Sequence, residues 1–176
     1  EPSMRLFYAL TFTEAAIEQI EDYRSTVSSV INSDSLVEAS NFHITLAFLG
    51  EVSASQIKIY VELIDSLFLE TSQVTVNGIS SFRRNKEQLV WLAVELEDWL
   101  VELQQSLHTQ LVDLGMTFDN RQYLPHITLA RHVPVIHRIE GLPFTPFKLQ
   151  LRSIALMESY FNNNQLTYRP LVEIIR

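Results

Sequence analysis

Two stretches of the chain spell the same five-residue word. Residues 41–50 read NFHITLAFLG, and residues 124–131 read LPHITLAR. With average residue usage, a repeated pentapeptide in a chain this long is roughly a one-in-a-hundred accident. Both copies centre on His and Thr, neither of which is a default core residue. In an extended strand the side chains alternate. His43, Thr45 and Ala47 should then share one face, against Ile44, Leu46 and Phe48 on the other. The second copy sets His126, Thr128 and Ala130 against Ile127 and Leu129. Each word offers an imidazole, a hydroxyl and a small residue that leaves room for a ligand.

The chemistry that needs such a pair is phosphoryl transfer at a phosphodiester. Nucleophile and leaving group lie in line on opposite sides of phosphorus, and the non-bridging oxygens carry negative charge around the equator. One base belongs on the side of attack and one acid on the side of departure, with hydroxyl donors beside each. Two copies of His-x-Thr related by an approximate two-fold supply that layout. An unperturbed imidazole titrates near 6.5, so one ring can be neutral and the other protonated near neutral pH. No metal is required. A lone His in an apolar strand is usually structural, but packing alone gives no reason to repeat both polar residues. Zinc is the rival chemistry, and the absence of Cys and of any His-x₃-His spacing argues against it.

The elements that position these words follow from periodicity. MRLFYALTF, residues 4–12, alternates and is rich in β-formers. Thr13 caps a helix on which Ile17, Ile20, Val27, Val30 and Ile31 recur. SLVEAS and NFHITLAFLG read as strands. Ser53 or Ser55 caps a second helix, with Ile57, Tyr60, Val61, Ile64, Leu67 and Phe68 on one face. QVTVNGISSF and QLVWLAVEL form two strands around the polar turn at RRNKE. A third helix runs from Asp98 to Leu114, lined by Leu100, Leu103, Leu107, Leu111 and Leu114 and stopped by Gly115. After the second word come FKLQLRSIALMESYF, a turn at Asn162, Asn163 and Asn164, and a closing strand QLTYRPLVEII. Strands alternating with helices indicate an α/β or α+β domain. The two words lie about half the chain apart, which predicts two similar halves. Each would be a small antiparallel sheet facing the other across a cleft, with helices outside.

Composition bounds the rest. The 176 residues suit a single two-lobed domain over residues 1–176, with Met4 as the natural start and residues 1–3 as a remnant ahead of it. Hydrophobic residues make up 47% of the chain, ample for a packed interior, and Cys is absent, which suits a reducing, cytoplasmic setting. No apolar run approaches a membrane span. A formal charge of −8 argues against a protein that coats nucleic acid through its phosphates, which needs many cations on one face. It leaves open a local grip on one linkage or one end.

These residues carry a resemblance. The chain is similar to the 2H phosphoesterases, which bear two His-x-Thr/Ser motifs, and within them to the RNA 2′,3′-cyclic phosphodiesterase (2′-5′ RNA ligase) branch. RLFYAL, NFHITLAFLGEV, LVWLAV, LPHITLAR and SYFNNNQLTYRPL carry the likeness across nearly the whole chain. It implies two pseudo-symmetric antiparallel sheets around a central cleft and a metal-independent, cofactor-free reaction on an RNA end or nucleotide bearing a 2′,3′-cyclic phosphate. His43 would protonate the departing ribose 3′-oxygen and His126 would accept a proton from water, while Thr45, Thr128 and Arg131 would hold the phosphate. The product would be a 2′-phosphate. A 5′-hydroxyl in place of water would give a 2′-5′ linkage.

Strict alternation places Arg131 on the face opposite His126, so it reaches the phosphate only where the strand ends or bulges after Thr128. Phe48 and Tyr168 are candidates to stack a base, although core packing is the plainer reading of each ring. Arg83, Arg84 and Lys86 form one basic cluster, read as a solvated turn. His108, His132 and His137 have no Thr partner and receive no role. Nothing in the sequence asks for a partner subunit, and a monomer is expected. Two alternatives remain. One is a non-catalytic module that holds a 2′-phosphate or a 2′-5′ linkage. The other is the same chemistry on ADP-ribose cyclic phosphate or 2′-5′ oligoadenylate.

Overall fold

A computed structural model describes residues 1–31, 35–119 and 121–175. In chain order the elements are β1 (Ser3–Phe12), α1 (Glu14–Ser28), β2 (Ile44–Ser53), α2 (Ile57–Leu63), β3 (Gln73–Arg84), β4 (Glu87–Val94), α3 (Asp98–Asp113), β5 (His126–Pro134), β6 (Phe147–Asn162) and β7 (Gln165–Ile175). Short 3-10 turns at Ala39–Asn41, Ala54–Gln56 and Ile64–Ser66 complete the set. None of the described helices is long and apolar enough to cross a membrane.

All strand pairs are antiparallel, and their order is β2-β1-β6-β3-β4-β5, with β7 added to β6. β6 is the pivot. Its first residues, Phe147 to Gln150, pair with β3, and the rest pairs with β1 on one edge and β7 on the other. Two lobes result, β2-β1-β6-β7 and β3-β4-β5. They are not the first and second halves of the chain, because the C-terminal hairpin completes the sheet that carries His43. β2 and β5, the carriers of the repeated word, stand at opposite ends of the strand order. The curl of the network brings them together, and the Tyr123 hydroxyl donates to the Thr45 carbonyl at 2.7 Å across the gap.

The two faces of β1 show how the core is laid out. Leu6, Tyr8 and Leu10 point into the main core, whereas Phe7 and Ala9 join Ala155 and Met157 in a small separate cluster on the cleft side. Leu100, Leu103, Leu107 and Leu111 bury one stripe of α3. Gly115, at φ +96°, ends that helix by turning its N–H back to the Val112 carbonyl. Thr13 caps α1 as its position suggests, accepting from the Ala16 N–H. Asn163 and Asn164, both at positive φ, form the two-residue β6–β7 turn. The first three residues extend the same lobe: Ser3 opens β1 opposite Ser53, and the Pro2 carbonyl accepts from Ala54.

Several local expectations change. SLVEAS is not a strand. Leu36 makes one isolated bridge to Ala130, and the chain then turns through Ala39–Asn41 to set Asn41 beneath β7. Neither Ser53 nor Ser55 caps a helix by its side chain, since the two hydroxyls meet each other at 3.4 Å. Phe68, placed on the buried face by helical spacing, is 73% exposed because the helical backbone ends at Ser66 and Leu67 is extended. Leu114, at the end of the α3 stripe, is likewise partly exposed.

Candidate active site

His43 immediately precedes β2, and His126 opens β5. Both are half-buried. Each ring is tethered in the same way, through Nδ1 to the backbone carbonyl two residues earlier: Asn41 O for His43 and Leu124 O for His126, both at 2.7 Å. A carbonyl only accepts, so Nδ1 carries hydrogen and Nε2 is left as the working nitrogen of the neutral ring. For His43 that nitrogen receives the Thr45 hydroxyl at 2.9 Å.

Both rings also rest on aromatic pairs. His43 lies 5.0 Å from Phe7 and 5.2 Å from Tyr168, and His126 lies 5.4 Å from both Phe82 and Trp91. The surrounding rings exclude water from one side of each imidazole. Burial therefore presses both pKa values down, that of His43 to about 4, with Arg131 adding repulsion at each. One guanidinium thus acts on both imidazoles.

Strict alternation would keep Arg131 away from this face. A bulge brings it back. On β4 the step from Val90 to Trp91 is matched on β5 by two residues, Ala130 to Thr128, with Leu129 as the extra one. On β1 the step from Tyr8 to Ala9 is matched on β2 by Ala47 to Thr45, with Leu46 extra. Both words therefore bulge at the same place. Two expectations are corrected by it. Ala47 and Ala130 sit in the main core rather than beside the imidazoles. Phe48, assigned to the apolar face, returns to the His43 side, where it contacts Phe7 and stays 65% exposed. Tyr168 is half-buried against Phe7 and His43, and its hydroxyl accepts from Arg131 Nη2 at 3.4 Å. Neither ring is simply core.

Thr45 and Thr128 are half-buried, and Thr128 stands opposite Trp91. Phe48, Arg131 and Tyr168 line one cavity together with Phe7; Thr45, Phe48 and His126 line a second; His43 rests on Phe7 and Tyr168. Among the residues given no role, His132 lines the first cavity and His108 the second. His132 is exposed against Glu87, and Arg83 pairs with Glu140 at 2.6 Å on the surface.

Asn41 was missed. It is buried, its amide donates to the Leu166 carbonyl at 2.9 Å, and its Oδ1 accepts from the Tyr168 N–H at 3.3 Å. One residue thereby fixes the tether of His43 and the position of Tyr168. The signal was only a polar residue two places before the first His. Phe7, Phe82, Trp91 and Tyr123 gave none, because each looks like an ordinary strand or loop aromatic.

A two-lobed antiparallel fold with paired, identically tethered imidazoles is the class of site the geometry defines. The family model described as the 2′-5′ RNA ligase superfamily matches residues 12–160, and the chain belongs to that superfamily. A protein of Escherichia coli named RNA 2′,3′-cyclic phosphodiesterase is 30% identical over 95% of this chain and 93% of its own length. One of the same name from Geobacillus stearothermophilus is 29% identical over 95% of this chain, which spans about half (52%) of that relative. Among solved structures, E. coli LigT complexed with 3′-AMP superposes with a TM-score of 0.79 at 27% identity, over 99% of this chain and 98% of the other.

Proposed function

We propose that this chain hydrolyses 2′,3′-cyclic phosphates, at RNA ends or on nucleotides, to 2′-phosphates by acid–base catalysis without a metal. The observation that carries the reading is the matched pair of imidazoles. Both are held by Nδ1 with Nε2 unprotonated in the neutral ring, and both feel one guanidinium. The names of the relatives and the superfamily point the same way.

In this reading Arg131 and the Thr45 and Thr128 hydroxyls hold the non-bridging oxygens. His126 Nε2 accepts a proton from water as the new P–O bond forms. His43, protonated, gives its Nε2 hydrogen to the 3′-oxygen as the P–O3′ bond breaks. A neutral His43 takes a hydrogen bond from Thr45. Once it is protonated, its Nε2–H turns to the leaving oxygen, and the Thr45 hydroxyl is released for the phosphate. The bound anion supplies the reason for the proton: it offsets Arg131 and raises the His43 pKa from its low resting value. Every group comes from one chain, so a monomer suffices. Phe48 and Tyr168 flank a cavity of about 710 Å³ beside Phe7, which would take the terminal nucleoside.

The test is turnover of a 2′,3′-cyclic nucleotide with chelator present. The expected product is the 2′-phosphate, and no turnover between pH 5 and 8 on any cyclic nucleotide would refute the reading. The pH dependence has a definite sign. Catalysis needs one ring protonated and one neutral, and both free-enzyme pKa values lie below 6.5. The kcat/KM optimum should fall on the acid side of 6.5, and the kcat optimum higher, because bound phosphate raises both pKa values. Binding of a 2′-nucleotide without turnover would instead favour a binding module.

A further inference from the structure

The cavity that adjoins Phe7, Phe48 and Tyr168 is lined by a second arginine besides Arg131, namely Arg5. Arg5 belongs to β1, two residues before Phe7. Met4, Leu6, Tyr8 and Leu10 of that strand turn to the main core, so alternation puts Arg5 on the cleft face with Phe7 and Ala9. The neighbouring strands continue this face. Arg5 stands opposite Ser159 on β6, and Ser159 stands opposite Tyr168 on β7. A guanidinium, a hydroxyl and the ring that touches His43 thus form one row across the floor of the cavity.

Neither of the two donors is used within the protein. Among the described residues the Arg5 guanidinium makes no hydrogen bond or ion pair, and the Ser159 hydroxyl makes no hydrogen bond. Arg83, Arg152 and Arg169, by contrast, are each paired with a glutamate. Two acids share the cavity lining, and both are engaged elsewhere. Glu51, opposite Arg5 on β2, accepts from the Ser3 hydroxyl at 2.7 Å, and Glu158 is held by Arg169 at 2.6 Å. Arg5 is exposed and Ser159 half-buried, so a ligand in the cavity can reach both. Directly opposite residues on adjacent strands stand about 5 Å apart at Cβ, close enough to donate to oxygens of one phosphate.

The spacing says which phosphate. Phe7 touches the His43 ring, and Arg5 follows about 7 Å along the strand, two residues at the strand rise. Tyr168, whose hydroxyl meets Arg131, is two strands from Arg5, about 10 Å at the usual strand separation. Both measures put Arg5 roughly one nucleotide away from the reacting phosphorus. We propose that Arg5 and Ser159 bind the phosphate on the 5′ side of the terminal nucleotide, so that the site selects the end of an RNA chain over a free cyclic nucleotide. The inference rests on the proposed reading of the His pair and assigns specificity within it. This second phosphate takes no part in the bonds made and broken. It is a handle, and two arginines suffice to grip two phosphates in a chain of net charge −8.

The experiment compares a 2′,3′-cyclic nucleotide bearing a 5′-hydroxyl with the same nucleotide bearing a 5′-phosphate, and reads the ratio of their kcat/KM values. In wild type the 5′-phosphate should raise kcat/KM about tenfold at low salt, the low end for a hydrogen bond to a charged group. The gain should shrink as salt screens the contact. Arg5→Gln should bring the ratio to within about twofold of one, whereas Arg5→Lys, which keeps the charge, should retain part of the gain. Ser159→Ala should lower the ratio by a smaller factor, about threefold. Equal loss on both substrates in Arg5→Gln, which keeps the wild-type ratio, would overturn the assignment. So would a wild type with equal kcat/KM on the two substrates, a result that leaves the cyclic phosphodiesterase reading standing. A wild type inactive on both would refute that reading itself.

Discussion

From His43 to Ala47 and from His126 to Ala130 the backbone makes the same moves. The imidazole bonds a carbonyl two residues back, the Thr shares its face, and an extra residue bulges out at Leu46 or Leu129. The sixth position then differs: Phe48 in one copy, Arg131 in the other. The bulge delivers both to the cleft, one as an exposed ring and one as a cation. The duplicated part supplies what a symmetric in-line displacement needs on each side. The unduplicated residue supplies what is needed once, a counter-charge for a single phosphate. Arg131 already lowers both imidazole pKa values, and a second guanidinium at position 48 would lower them further and weaken the acid.

The largest test of this division removes either repeated imidazole. His43→Ala and His126→Ala should each cut kcat/KM on a 2′,3′-cyclic nucleotide by about 10²–10⁴, the usual value of a general acid or base. A rate within a few-fold of wild type in either would break the symmetry of the account. Next comes the unrepeated residue. Arg131→Gln should cost about 10- to 100-fold, because a charge-assisted contact to the transferring phosphoryl group is lost. In the free protein the same change should raise both His43 and His126 pKa values. Proton NMR of the imidazoles reads this directly, and unmoved titrations would show that Arg131 acts on neither ring.

A second difference lies before the words. The carbonyl that tethers His43 belongs to a residue clamped at both ends of its amide, whereas Leu124 has no such side chain. Asn41→Ala should therefore lower kcat by about tenfold and shift the His43 titration while leaving that of His126 in place. Equal shifts at both rings would indicate a general loosening instead. The smallest effect is expected at Phe48. Phe48→Ala should raise KM a few-fold with kcat within about twofold, since stacking serves binding rather than the transition state.

How much of this was legible beforehand follows from which interactions have a sequence signature. Period-two and period-3.6 patterns marked the strands and the Leu stripe of α3, and repetition of a polar pair in an apolar context marked both imidazoles. The bulges were not legible. Alternation counts residues on one strand, whereas a bulge is set by pairing with β1 or β4, and those partners are remote in the chain. The errors at Ala47, Ala130 and Phe48 all come from that single cause. Alternation does show that Arg131 reaches the cleft only where the strand ends or bulges after Thr128, and the structure has the bulge. Asn41 escaped because its work is done partly by a backbone carbonyl, which any residue carries. The cavity beside His126 escaped because its lining spans β2, α3 and the segment before β5.

The central claim is that both imidazoles and one guanidinium act on the same phosphorus. A crystal structure with a 2′-nucleotide bound tests it most directly. The account predicts Nε2 of His43 and of His126 on opposite sides of the phosphate, both in hydrogen-bond contact with its oxygens, and Arg131 on a third. A phosphate held by only one of the two rings, with the other facing away, would contradict it.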